Sequence, residues 1–99
     1  MPKGYWIATI TIREPGGYPA YQAAVRHALD AYGGRYLVRG GKAEIREGAP
    51  RPRAVVIEFQ DYATAVACYV SVEFAAARAM RQKIADADFL IVEGWGGAY

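Results

Sequence analysis

Cysteine, histidine and asparagine are scarce in this 99-residue chain: one of the first, one of the second, none of the third. A lone Cys68 excludes an intrachain disulfide and any multi-cysteine metal cage. With His27 as the only imidazole, metal catalysis is disfavoured, and only an all-carboxylate site stays open. Charge of one sign is lacking too. Twelve Lys and Arg against ten Asp and Glu leave +2, too near balance for an electrostatic nucleic-acid binder. No long apolar run occurs; the longest, Ala65 to Val70, falls far short of a membrane-spanning helix. Met1-Pro2-Lys3-Gly4 leads straight into an alternating pattern without an apolar leader core or cleavage site, so a cytoplasmic address is expected.

What is present is the composition of a folded domain, 54% hydrophobic and 22% charged. No linker, repeat or low-complexity tract divides it, so a single domain over residues 1–99 is expected. Nineteen alanines and nine arginines, against three lysines, read as base-composition bias, so arginine richness alone argues no function.

Tyr5 to Arg13 alternates Trp6, Ala8, Ile10 and Ile12 against Tyr5, Ile7, Thr9 and Thr11, the period of a strand. After the Pro15-Gly16-Gly17 turn, Tyr18, Tyr21, Val25, Ala28, Leu29 and Tyr32 recur at helical spacing until Gly33-Gly34. Arg35 to Glu47 reads as a long strand with a bulge or bend at Gly40-Gly41, and Arg53 to Phe59 as an apolar strand. Asp61 caps a second helix, which restarts at Ser71 and continues through Phe74, Ala77, Met80 and Ile84. Phe89 to Trp95 is the last strand, followed by a glycine-rich tail.

The order βαββαβ predicts an α+β, ferredoxin-like fold: a four-stranded antiparallel sheet with two helices on one face. Two helices cover only one face, yet the strands do not alternate cleanly to polar. Leu90 and Val92 oppose Phe89 and Ile91, Ala54 and Val56 oppose Val55, Ile57 and Phe59, and Tyr5 and Ile7 oppose Trp6 and Ile10. The uncovered apolar face predicts a homodimer joined through the sheet, with Trp95 and Tyr99 in the tail reaching across. An RNA-recognition module shares this strand order but stacks bases on aromatics of its third strand, where this chain has Ala54 and Val56. Neither a nucleic acid nor a membrane is expected as a partner.

Chemistry is expected elsewhere. His27 lies off the apolar stripe of its helix and reads as a surface residue; Cys68, with no basic neighbour in sequence, reads as a buried inert thiol. Arg39, Glu58 and Glu93 interrupt apolar strands, where a charge is costly unless paired. The structural reading pairs them with one another or takes them to solvent. The functional reading places Arg39 in a cleft, holding a carboxylate or enolate, with Glu58 or Glu93 orienting it. Tyr21, Tyr32, Tyr36 and Tyr69 fall on buried faces, either as packing or as aromatic walls of a substrate pocket between helices and sheet. Loss of Arg39 is expected to cost about 3–5 kcal/mol if it is paired in the interior, and little if it faces a pocket. No cofactor or metal is implied.

Lys3-Gly4-Tyr5-Trp6-Ile7-Ala8, the run from Tyr32 to Gly41, Val55-Val56-Ile57-Glu58-Phe59 and Val92-Glu93-Gly94 resemble the bacterial domain-of-unknown-function 1330 family. The Gly33-Gly34-Arg35-Tyr36-Leu37-Val38-Arg39-Gly40-Gly41 stretch is the most specific part. Where that family commonly has Tyr-x-Ser-Pro-Glu-Tyr, this chain has Tyr69-Val70-Ser71-Val72-Glu73-Phe74, lacking the proline and the last hydroxyl. The resemblance implies a dimeric α/β barrel, grouped with cofactor-independent monooxygenases and muconolactone-isomerase-like proteins, and supplies no reaction. The expected function is a cofactor-independent enzyme handling a small organic metabolite by proton transfer, isomerisation or oxygenation. The alternative is a non-catalytic small-molecule-binding or stress-associated dimer.

Overall fold

Alternation in the first segment becomes a strand in which Gly4, Trp6, Ala8 and Ile10 are buried in turn. The computed structural model describes residues 2–97. Along the chain run β1 (Gly4–Ile12), α1 (Tyr18–Tyr32), β2 (Arg35–Arg39), β3 (Arg53–Phe59), α2 (Tyr62–Tyr69), α3 (Val72–Ile84) and β4 (Ala85–Glu93), with a turn of 3-10 helix at Pro15–Gly17. The four strands pair antiparallel in the order β2-β3-β1-β4, the ferredoxin-like arrangement that the element order predicts.

Local signals explain the helix ends. Gly33 closes α1 at φ +70°, a left-handed conformation that a side chain resists, and its N–H donates to the Leu29 carbonyl. Asp61 accepts from the Thr64 N–H at 2.8 Å and so caps α2. Ser71 both donates to the Cys68 carbonyl at 2.6 Å and accepts from the Phe74 N–H at 3.2 Å, ending α2 and starting α3 with a 62° bend. No single helix among the described residues is long and apolar enough to cross a membrane.

Two strand boundaries differ from expectation. β2 stops at Arg39, eight residues before Glu47, and residues 41–52 run without regular structure, all exposed except the half-buried Arg51. Continuing the hairpin would place Pro50 and Pro52 in the facing strand, and neither has an N–H to complete a ladder. β4 begins at Ala85 rather than Phe89 and ends at Glu93, leaving Trp95 outside, 74% exposed. Its early half alternates Ala85 and Ala87 inward against Asp86 and Asp88 outward, paired along Thr9 to Ile12 of β1. Tyr99 lies outside the described residues.

The core sits between helices and sheet, centred on Trp6, which is 2% exposed. Its indole N–H donates to the Ala65 carbonyl at 2.8 Å, satisfying the one polar atom that the ring buries. Phe59, Phe74 and Phe89 surround it with centroids 4.9, 4.7 and 5.3 Å away.

Candidate functional site

A cavity of about 20 Å³, room for roughly one water, lies between α1, α3 and the helix-facing side of the sheet. Each element delivers polar groups to it by its own periodicity. Tyr18, Tyr21 and Gln22 come from the inner face of α1. β3 keeps its period of two, so Arg53 falls in line with Val55 and Ile57. On α3, Arg81 stands four residues after Ala77 and seven after Phe74, on the buried stripe.

β2 contributes through an irregularity. Tyr36 pairs with Ile57, but the next partners are Val38 with Val56 and Arg39 with Val55, so the register slips by one at Leu37. Without that bulge, residues three apart in a strand point to opposite faces. With it, Tyr36 and Arg39 both line the cavity. The two also wall an outer cleft of about 150 Å³ bounded by Arg26, Asp30 and Gly34. Their stack therefore separates an inner chamber from an outer one.

The electrostatics are one-sided. Three guanidinium groups line the cavity and no carboxylate does. None of the ion pairs among the described residues involves Arg39, Arg53 or Arg81. Each arginine instead lies near an aromatic ring: Arg39 at 4.7 Å from Tyr36, Arg53 at 5.0 Å from Tyr18 and Arg81 at 5.6 Å from Phe89. Arg53 Nε also donates to the Tyr18 hydroxyl at 2.8 Å. Arg81 is 7% exposed, and its Nη1 is buried with no hydrogen-bond partner among the described residues. Gly40 stands at φ +68°, and a Cβ there would run into the Arg53 guanidinium, so this glycine leaves the space that Arg53 fills. Burial raises the Tyr21 hydroxyl above the ordinary tyrosine value, against the opposing pull of Arg81. Burial likewise raises Tyr36, against Arg39. Both phenols are neutral donors near pH 7.

Of the residues singled out in the sequence, Arg39, Tyr21 and Tyr36 come together here. Tyr69 does not line the cavity. It packs beside Trp6, Phe74 and Phe89, with Arg78 over its ring at 5.0 Å. Glu58 does not orient Arg39: it faces the other side of the sheet, pairs with Arg35 at 2.9 Å and accepts from the Tyr5 hydroxyl at 3.2 Å. The Arg35 hydrogen bond holds its carboxyl below the usual range. Glu93 is exposed at the end of β4. His27 is exposed on α1, whereas Cys68 is fully buried and its thiol donates to the Ala28 carbonyl at 3.7 Å. Burial, reinforced by Glu73, pushes that thiol up to about 12, so it stays protonated at neutral pH. Sequence reasoning missed Arg53 and Arg81, although their spacing to Val55 and to Phe74 and Ala77 carried the signal.

The family described as Domain of unknown function (DUF1330) matches residues 3–95. The chain belongs to the DUF1330 family. No curated protein matches it. Among solved structures, this DUF1330 chain is similar to RPA0582, a protein of unknown function from Rhodopseudomonas palustris, at 17% identity and TM-score 0.67, covering 97% of this chain and 85% of that one. It is also similar to SnoaB, a cofactor-independent oxygenase from Streptomyces nogalater, at 9% identity and TM-score 0.64, covering 99% and 98%. A third is a dimeric protein of unknown function with a ferredoxin-like fold from Bacteroides fragilis, at 13% identity and TM-score 0.54, covering 92% and 95%. At these identities the likeness shows the fold of the DUF1330 chain and nothing of its reaction.

Proposed function

We propose that this chain is a cofactor-independent enzyme acting on a small organic metabolite in the cavity between α1, α3 and the sheet. One observation carries the reading: every charged group lining the cavity is a guanidinium, accompanied by neutral phenols and no carboxylate. Such a lining lowers the energy of an enolate or phenolate relative to its neutral form, because it presents fixed positive charge and hydroxyl donors where negative charge develops. A substrate already acidic at carbon or oxygen loses its proton to bulk water and is held there as the anion, since the lining supplies no carboxylate or imidazole as a base. Isomerisation or proton exchange follows when water returns a proton to the stabilised anion, and oxygenation follows when dioxygen, as co-substrate, accepts its electrons. The fold shared with a cofactor-independent oxygenase is compatible with the last of these.

We place the protein in the cytoplasm as a single domain and homodimer, joined through the sheet face that the helices leave open. Ile7, Val38, Val56, Leu90 and Val92 lie on that face by register, and Leu90 is 52% exposed in the single chain. Packing two such faces hides an apolar surface that a monomer leaves in water.

The same absence of a carboxylate or imidazole supports a second reading, a binding module without turnover. Native mass spectrometry of freshly purified protein reports the stoichiometry and any retained ligand. Phenols and 1,3-dicarbonyl compounds are then screened for deuterium exchange and oxygen consumption. Turnover that collapses in Arg39→Ala while the fold persists supports the enzyme. Saturable binding without turnover supports the module.

A further inference from the structure

Arg81 is poorly explained as a structural residue. A guanidinium carries five N–H donors, and burying one without a carboxylate normally costs more than its packing returns. Here it is 7% exposed, forms no ion pair among the described residues, and keeps Nη1 buried without an acceptor. Its position in the last turn of α3 suits a cation, but exposed Lys83 in the same turn meets that preference without burial. An apolar residue at 81 would complete the stripe of Phe74 and Ala77.

We propose that Arg81 is the anchor for an organic anion, a planar carboxylate or enolate whose charged oxygens meet its free Nη1 at the inner end of the cavity. This rests on the functional reading of that cavity and names the class of ligand it takes. The remaining walls fit the rest of such a molecule. Tyr21 stands beside Arg81, whose charge opposes the effect of burial on the phenol, and offers a neutral hydroxyl donor. Trp6 and Phe89 supply ring surface against which a planar body lies. Arg53 is engaged with Tyr18, which leaves Arg81 as the buried guanidinium with an open donor. The inner chamber has room for about one water, so a ring enters by displacing the Tyr36–Arg39 stack toward the outer cleft of about 150 Å³. Arg39 is exposed and, among the described residues, makes no ion pair or side-chain hydrogen bond beyond its cation–π contact, which makes it the movable member.

The test uses the full chain carrying Trp95→Phe, so that Trp6 is the only indole, with sodium benzoate as the anion and benzamide as its neutral isostere. Saturable quenching of Trp6 by benzoate is expected, with benzamide weaker by about tenfold or more, the effect of a hydrogen bond to a charged partner. Arg81→Met is expected to bind benzoate about tenfold more weakly or worse, while melting at the same or a higher temperature, because a buried unpaired charge has gone. A merely structural arginine would move the melting temperature down and leave the benzoate-to-benzamide ratio alone. Equal binding of the two probes, no saturable benzoate binding, or a lower melting temperature in Arg81→Met each overturns the anchor. Benzoate binding without any turnover supports the anchor and removes the enzyme. Turnover of a neutral substrate that survives Arg81→Met overturns the anchor and leaves the enzyme standing.

Discussion

The two faces of the sheet treat arginine in opposite ways. On the open face each guanidinium meets a carboxylate: Arg35 with Glu58 at 2.9 Å, Arg13 with Asp86 at 3.3 Å and Arg51 with Asp88 at 3.4 Å. On the helix-covered face Arg39, Arg53 and Arg81 meet aromatic rings and, among the described residues, pair with no acid. Composition cannot separate the two groups, since both draw on the same nine arginines. Neutralised arginines tolerate solvent and add little to stability. An arginine over a ring and away from any carboxylate keeps N–H donors for an anion, as the unpartnered Nη1 of Arg81 does.

The contrast can be broken hardest from the covered side. Trp6→Ala removes the indole beneath the cavity and is expected to cost about 3–5 kcal/mol, read as a fall in urea midpoint; a loss below 1 kcal/mol would mean that the aromatic cluster does not carry the core. Next comes the open side. Val56→Asp sets an isolated charge opposite Ile7 and is expected to weaken the proposed dimer by about a hundredfold or more, because an unpaired carboxylate is costly to bury. Light scattering at micromolar concentration then returns the single-chain mass, and an unchanged dimer would move the interface away from this face. Arg39→Ala is smaller: exposed and without an ion pair among the described residues, it is expected to cost about 0.5–1 kcal/mol of stability, not the about 3–5 kcal/mol of a broken interior pair, while ligand affinity falls. A melting curve and a benzoate titration on the one variant separate these outcomes.

The smallest effect belongs to Glu58. Its folded carboxyl lies below the unfolded value, so the Arg35 partnership stabilises the protein above the ordinary carboxylate range and is lost as pH falls through the lower folded value. Melting temperatures from neutral pH down to about pH 3 should therefore fall slightly further for the native chain than for Glu58→Gln. Identical acid profiles would show that the pair contributes nothing.

Period and punctuation made the elements legible: alternation gave β1 and β3, Asp61 and Ser71 announced the two later helices, and Gly33 the end of α1. Less legible was anything that depends on what lies opposite. The start of β4 looks polar until Asp86 and Asp88 are seen facing Arg13 and Arg51 across the open face. The end of β2 depends on whether residues near Pro50 and Pro52 can donate to it. Arg39, Tyr21 and Tyr36 were legible as pocket residues because they interrupt or line apolar patterns. Arg53 and Arg81 were not, for each has an ordinary local excuse: a charge at a strand's first residue, and a cation in a helix's last turn. Glu58 had its partner mistaken because cross-strand register, not sequence proximity, sets it against Arg35.

The extra residue at Leu37 makes the allegiance of Arg39 a matter of pairing register rather than residue identity. Straightening the strand at unchanged length carries the guanidinium through the sheet, from the chamber to the side where the carboxylates wait, whereas deleting Leu37 leaves it two residues after Tyr36 and on the same face. A relative with the same three-residue spacing and a regular ladder would present the same letters with the charge on the other face. Comparison of such chains has to establish whether the strand is bulged between the aromatic and the arginine before it equates their arginines.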